Sequence, residues 1–358
     1  PESGGGILVG GEPPLVAGGV SPGSGNVVID ANLIRGNLAG AGDGGGIRVA
    51  SANGEDVVAS PDTETDWYRV AVFNNMIDNN VSGLAGGGIS VEDSLRVVVR
   101  NNTVANNDST ATTALAFEPG APNISVAQPA GIVSRVHSTA LAAVVGAGFS
   151  DPVLRDNIVY HNRSFYWLNY DDPATAVIET GLYPSHCPPS GTGTVADPYV
   201  PPATCDLTAV ADYTWDLAVL SGNVDQAPTY QLDPRVSLLT DTTGYHASNI
   251  TGDPAFVNGY LNVGRDNTLL FPEFTVLQTA GAFDEGGNFL QVAFGPLSLV
   301  EPDTNLNNPE GPLFDYHIGT GSVAIDAGGN VAGLLLEDFD NDPRPQGAGT
   351  DIGADEAQ

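Results

Sequence analysis

VVIDANLIRGN (27–37), VAVFNNMIDNN (70–80), VVVRNNTVANN (97–107) and PVLRDNIVYHN (152–162) share one eleven-residue frame. It reads V-x-[ILV]-x-x-N-x-[IV]-x-x-N, with Pro152 replacing the first Val in the last copy. Apolar and other residues alternate along the frame, and the apolar ones are largely β-branched. That pattern describes strands and excludes a helical repeat. The first shared Asn residues are Asn32, Asn75, Asn102 and Asn157, spaced by 43, 27 and 55 residues. A second marker, a Gly-rich turn before Ile, recurs as GGGI (4–7), GGGI (44–47), GGGI (86–89) and PAGI (129–132). A forty-odd-residue period suits a propeller blade, but no GH…WD-like signature accompanies it. The 27-residue gap instead predicts a unit of about half of 43, with some coils enlarged by loops. Such coils, each with short strands and Gly/Asn turns, describe a parallel β-solenoid.

The chemistry of the frame fits that architecture. Val27, Ile29 and Ile34 point inward from two short strands, and Asn32 sits at the bend between them. Stacked strands lie about 4.8 Å apart, a distance at which one Asn amide donates to the next Asn carbonyl. Asn32, Asn75, Asn102 and Asn157 are therefore expected to form a ladder, while the second set, Asn37, Asn80, Asn107 and Asn162, is expected to face solvent. The Gly runs supply positive φ at other corners.

Composition narrows the function classes. The 358 residues carry 43 Asp and Glu against 11 basic residues, all of them Arg, for a formal charge of −32. Such a chain repels polyanions, and scattered Arg cannot build the basic face that nucleic acid requires. With 41% hydrophobic residues the chain is not disordered. The acidic, Lys-free surface suits a saline medium as well as it suits ordinary secretion. The given residues hold no signal-peptide pattern, which missing upstream sequence would carry, and no apolar run long enough to span a bilayer. The chain opens within a repeat, so upstream residues or a partner are expected to cover that end, where strand edges would otherwise meet water.

The regularity breaks after Asn162. An aromatic cluster (Phe165, Tyr166, Trp167, Tyr170) precedes a Pro-rich stretch holding both cysteines, Cys187 and Cys205. Two Cys 18 residues apart, bracketed by CPP and PPATC, read as a disulfide closing a loop outside the coil stack. Such closure stabilises by about 3 kcal/mol in the chain-entropy view. His186 is adjacent, but no second Cys–His pair supports zinc.

Short β-like pieces return from 249 onward. NIVYHN (157–162), GDPAFVN (252–258), AIDAG (324–328), DFDNDPRP (338–345) and DIGADE (351–356) together resemble the choice-of-anchor Q group of bacterial surface proteins. These are proteins with right-handed parallel β-helix, pectin-lyase-like domains. The resemblance implies an all-β, right-handed parallel β-helix with inserted loops and a C-terminal cap, on an exported, extracellular or cell-surface protein. It implies no particular activity, and no anchor segment follows Gln358 here. The organisation expected is β-helix coils over 1–164, a loop excursion with the disulfide over 165–248, and further coils with the cap over 249–358.

Asp338, Asp340 and Asp342 alternate, and alternating carboxylates are the hard oxygen ligands that Ca²⁺ takes. Pro343 and Gly349 occupy positions where an EF-hand carries Gly and Glu, so the favoured reading has these Asp cap turns and pair with Arg344. Calcium is the one cofactor considered. The motifs of this fold's hydrolases and lyases are missing: no NTD, no GHG, no Lys, and a single DD at Asp171–Asp172. Arg100, Arg155 and Arg163 have no Asp cluster at matching offsets. The five His (His137, His161, His186, His246, His317) show no H-x-H or HExxH spacing, and no G-x-S-x-G announces a nucleophile. The sequence therefore points to a non-catalytic extracellular module with a structural, adhesive or filament-associated role. Its partners would be proteins or surface glycans, self-assembly or an upstream part of the same polypeptide, with Phe165, Tyr166, Trp167 and Tyr170 as the contact patch. The alternative is a polysaccharide lyase or hydrolase, or the β-helix part of a larger secreted enzyme.

Overall fold

The computed structural model describes residues 4–172, 177–202, 205–206, 209–259, 315–329 and 335–357. Residues 260–314, assigned from sequence to further coils, lie outside the described residues, as do the side chains of Asp171 and Asp172. After β1 (Ile7–Gly10) come four successive repeats of four strands. The first is β2 (Val27–Asp30), β3 (Leu33–Arg35), β4 (Leu38–Ala39) and β5 (Ile47–Ala50). The second is β6 (Val70–Phe73), β7 (Met76–Asp78), β8 (Val81–Ser82) and β9 (Ile89–Glu92). The third is β10 (Val97–Arg100), β11 (Thr103–Ala105), β12 (Asp108–Ser109) and β13 (Ile132–Arg135). The fourth is β14 (Val153–Arg155), β15 (Ile158–Tyr160) and the long β16 (Arg163–Asp172), whose hairpin partner β17 (Val177–Pro184) starts an excursion that ends at β18 (Leu217–Leu220). β19 (Leu238–Leu239) begins another turn.

Equivalent strands pair in parallel, giving four stacked sheets: β2-β6-β10-β14, β3-β7-β11-β15-β19, β4-β8-β12-β16 and β1-β5-β9-β13-β18. The molecule is all-β and β-solenoid-like. Each interval between successive frames, including the 43-residue one, holds a single repeat rather than two. The additional residues sit in connections such as 51–69, which carries the short helix α1 (Glu55–Ala59). No helix among the described residues is long and apolar enough to cross a membrane.

Register explains why the frame recurs. Ile34, Ile77, Val104, Val159 and Leu239 stack in one column, and Ile29, Val72, Val99 and Leu154 in another. All are buried in one continuous core. A third column runs Val9, Val49, Val91, Ser134, Val219 and breaks its apolar pattern only at Ser134.

Two corners carry amide ladders. At each, a residue with φ near 50–70° (Ala31, Asn74, Asn101 and Asp156; Gly36, Asn79, Asn106 and His161) turns the chain, and the next residue is the ladder Asn. In the first ladder Asn32 Nδ2 donates to Asn75 Oδ1 (3.0 Å), Asn75 to Asn102 (2.9 Å) and Asn102 to Asn157 (3.1 Å). The column continues through Ser237 Oγ to Asn249 Oδ1. The second set of Asn does not face solvent. Asn80, Asn107 and Asn162 are fully buried and form a second ladder from Asn37, at 2.9 Å per step, ending on Asp216 Oδ1 (2.8 Å). Both frame positions follow a left-handed residue, so the same geometry turns both amides inward. A Gly-rich turn completes the repeat: Gly44 and Gly86 have φ of 75° and 64°, and a Cβ on Gly45 would lie 2.5 Å from the Gly87 carbonyl.

The described residues of 315–329 and 335–357 pack against the side of the stack. β20 (Phe256–Asn258) pairs antiparallel with β21 (Asp315–Ile318), and the segment runs sideways across the second sheet. Tyr316 Oη accepts from Asn79 Nδ2 and Asn106 Nδ2, both at 2.8 Å. Glu337 O accepts from Asn74, and Ala354 N donates to Thr103 Oγ1. Gly329 N donates to the Asp156 carboxylate and Gly353 N to the Asp156 backbone carbonyl. Outward side chains that would otherwise be wet (Met76, Ala105, Ile158) bury against Tyr316, Ala354 and Ile352. The tail thus ties together the second, third and fourth repeats.

Candidate functional site

The arginines show where charge is spent. Arg35 pairs with Asp78 (2.6 Å), Arg100 with Asp156 (2.6 Å) and Arg163 with Asp108 (2.7 Å), each across adjacent repeats. Arg135 and Arg48 share Asp43. Arg100, Arg155 and Arg163 do have carboxylate partners: Arg100 and Arg163 reach theirs across the stack, and Arg155 meets its chain neighbour Asp156 at 3.4 Å. Burial raises Asp78 despite Arg35, because desolvation outweighs the pairing. These pairs are structural staples, not a site.

The Asp338, Asp340 and Asp342 carboxylates do not converge as a calcium cage. Asp338 is buried, and its Oδ1 accepts from the Asp340 and Asp342 amides (2.9 and 2.8 Å), its Oδ2 from Glu356 N. Asp340 turns instead to His317 Nε2 at 2.8 Å. Arg344 does not pair with any of the three; its Nη1 donates to the buried Glu356 (2.8 Å) and its Nη2 to the Gly353 and Ala354 carbonyls.

The aromatic patch is also different from the expectation. Phe165, Tyr166 and Trp167 are buried. Phe165 packs on Tyr213 and under Arg163, and Trp167 meets Phe117 edge-on. Tyr166 donates to the Cys187 carbonyl at 2.6 Å. They hold the excursion onto the stack. Cys187 and Cys205 are disulfide-bonded, with Cα atoms 5.9 Å apart, and His186 lies beside them. Their sulfurs are joined to each other, so no thiolate is offered to a metal.

Tyr170, half-buried, is the member that reaches a cavity. With Asn123, Asn169, Gly193, Thr194 and Tyr199 it lines a space of about 260 Å³ on the excursion. Among the described residues the lining is uncharged. Asn169 N donates to Asn123 O (2.7 Å), and Asn169 Oδ1 is sheltered with no donor among the described residues. Two phenol rings beside paired amides suit a polyol: rings face C–H surfaces, amides bridge hydroxyls.

A second cavity of about 250 Å³ lies where the second ladder ends, lined by Trp215, Asp216, Thr240, Asp241 and Tyr245 among others. Burial pushes Asp216 up to about 6, against the hydrogen bonds from Asn162 and Thr240. Asp241 is held below the usual range by its hydrogen bonds from Thr243. Burial and the Asp216 charge push Tyr245 up to about 12. Neighbouring carboxylates driven apart in this way are the raw material of acid–base chemistry.

The third grouping joins His317, Asp340 and Asp355, whose ligand-type atoms all lie within 4.8 Å of one another. Burial alone would lower His317, but the hydrogen bond with Asp315 and the charges of Asp355, Asp315 and Asp340 outweigh it and raise it. Burial pushes Asp355 up to about 6, although it accepts from Ile318 N.

Asn123, Asn169, Tyr199, Asp216, Asp241 and Asp355 were not singled out by the sequence reading. Asp216 occupies a ladder slot, but its separation of 54 positions from Asn162 hides the register. The D-x-H spacing of Asp315 and His317 on one strand was the legible signal. Comparison of the chain with known protein families, curated proteins and solved structures finds no match.

Proposed function

We propose that the chain is a non-catalytic, extracellular, right-handed β-helix module of a surface protein with an adhesive role, binding neutral glycans on its excursion. The observation that carries this reading is the cavity of Tyr170, Tyr199, Asn123 and Asn169, uncharged among the described residues. Right-handed winding is the hand that parallel crossover connections favour. The disulfide favours an oxidising location, and the resemblance to choice-of-anchor Q surface proteins points the same way. The −32 charge works against anionic glycans and leaves neutral ones unaffected. Calorimetric titration with neutral gluco- and manno-oligosaccharides and with oligogalacturonate tests it. Binding of a neutral oligosaccharide that falls at least tenfold in Tyr170→Ala supports the proposal; no binding, or equal binding by the variant, contradicts it.

A second reading rests on Asp216 and Asp241. Their opposed proton affinities in a cavity with Trp215 fit a glycoside hydrolase, Asp216 serving as the acid. New reducing ends from a glucan, lost in Asp216→Asn, would favour this reading over the first.

A further inference from the structure

We propose that His317 Nε2, Asp340 and Asp355 form a binding site for a divalent cation of the zinc type, with Asp315 behind the imidazole. The three side chains come from three separate segments: strand β21, the turn at 338–342, and the DIGADE end. They nevertheless bring one nitrogen and two carboxylates within 4.8 Å of one another. Zinc–nitrogen and zinc–oxygen bonds are about 2.0–2.2 Å long, so ligand atoms around one ion stand about 3–4 Å apart. The side chains meet that separation with small rotations.

The contacts of the imidazole supply the second argument. Nδ1 faces Asp315 Oδ1 and Nε2 faces Asp340 Oδ2. A protonated ring satisfies both contacts, whereas a neutral ring has one N–H and leaves its other nitrogen's lone pair facing a carboxylate, the place a cation takes when it displaces the proton. Asp315 on Nδ1 is the carboxylate–histidine arrangement that fixes a metal-bound ring, leaving Nε2 as the ligand. Among the described residues no Arg side chain is paired with Asp315, Asp340 or Asp355. A divalent ion between Nε2 and the two carboxylates takes the place of the imidazole proton and compensates more of this local charge than that proton does.

The donor set selects the metal. Ca²⁺ takes six to eight oxygens, whereas one imidazole with two carboxylates suits zinc or a similar first-row ion. His317 and Asp340 are partly exposed, with side chains 31% and 49% accessible, so water completes the coordination. The site shares only Asp340 with the Asp338, Asp340, Asp342 set read from the sequence. Its consequence is mechanical: a bound ion fastens β21, the 338–342 turn and the chain end together, on a tail that already spans three repeats.

Titration of the metal-stripped protein with Zn²⁺, followed by calorimetry and by thermal unfolding, tests this. The expected result is one tight equivalent and a rise in Tm. His317→Gln and Asp340→Asn, both at partly exposed positions and checked for native circular dichroism, should bind at least tenfold more weakly. Asp342→Asn should bind as the parent does. Absence of a stoichiometric Zn²⁺ site overturns the proposal. So does unchanged binding by His317→Gln, which places the ion elsewhere, or equally tight binding of Ca²⁺, which shows an all-oxygen site.

Discussion

Ser134 stands in a column whose other members are Val9, Val49, Val91 and Val219. Its hydroxyl is buried and has no partner among the described residues. A buried unsatisfied hydroxyl costs about 1–3 kcal/mol, part of which any overpacking returns. Ser134→Val should therefore raise unfolding stability by about 1 kcal/mol in urea titrations; a loss of stability would show that the column narrows there. Asn107 is the opposite case. Its Oδ1 accepts from Asn80 N and Nδ2, and its Nδ2 donates to Ile77 O and Asn162 Oδ1. Asn107→Ala leaves several buried groups unpaired and should cost about 3–5 kcal/mol, against about 1 kcal/mol for Asn37→Ala at the half-exposed end. Equal costs at the two positions would mean that the second ladder contributes little.

At the scale of elements, the strands and their register were legible and the tail was not. The eleven-residue frame places Asn32, Asn75, Asn102 and Asn157 on one corner because a period of two within each strand fixes which residues face inward. The second corner was misjudged because nothing in N-x-[IV]-x-x-N distinguishes a buried amide from an exposed one. Only the left-handed residue before it does, and Gly36, Asn79, Asn106 and His161 do not share an identity. The aromatic run 165–167 reads equally as a patch or as packing until Phe117 and Tyr213, distant in sequence, are placed against it. Tail docking depends on contacts more than 200 residues apart, which no local pattern encodes. Tyr316→Phe removes the acceptor for Asn79 and Asn106 and should loosen the tail by about 2 kcal/mol. Faster proteolytic release of fragments from 335–357 is the expected readout; an unchanged cleavage rate would place the anchoring elsewhere.

At the scale of the whole molecule, the charge dominates. Asp216 and Asp355 are raised to about 6 in the folded state, so below that pH the native form holds protons that the unfolded chain releases. Their stabilising contribution is complete below the unfolded carboxylate range and is lost as pH rises through 6. His161, lowered to about 4 mainly by burial, acts in the opposite sense: its contribution is present above the unfolded value of 6.5 and is lost as pH falls towards 4. Between pH 8 and pH 5 the two carboxylates act against the imidazole, and further raised carboxylates, Asp78, Asp351 and Glu356, act with them. Relief of self-repulsion adds to this. Tm should thus rise by a few degrees from pH 8 to pH 5, and added salt should raise it at pH 8 through screening. A Tm that falls over the same pH interval would contradict these assignments.

The central proposal is that an acidic stack of parallel repeats presents a neutral glycan site on its excursion. Diffraction from a crystal grown with a neutral oligosaccharide tests this most directly. The expected density is a sugar ring against Tyr170 and Tyr199, with a hydroxyl donating to Asn169 Oδ1. A sugar seated instead between Asp216 and Asp241 against Trp215, or cleaved there, would contradict the account and make the chain an enzyme.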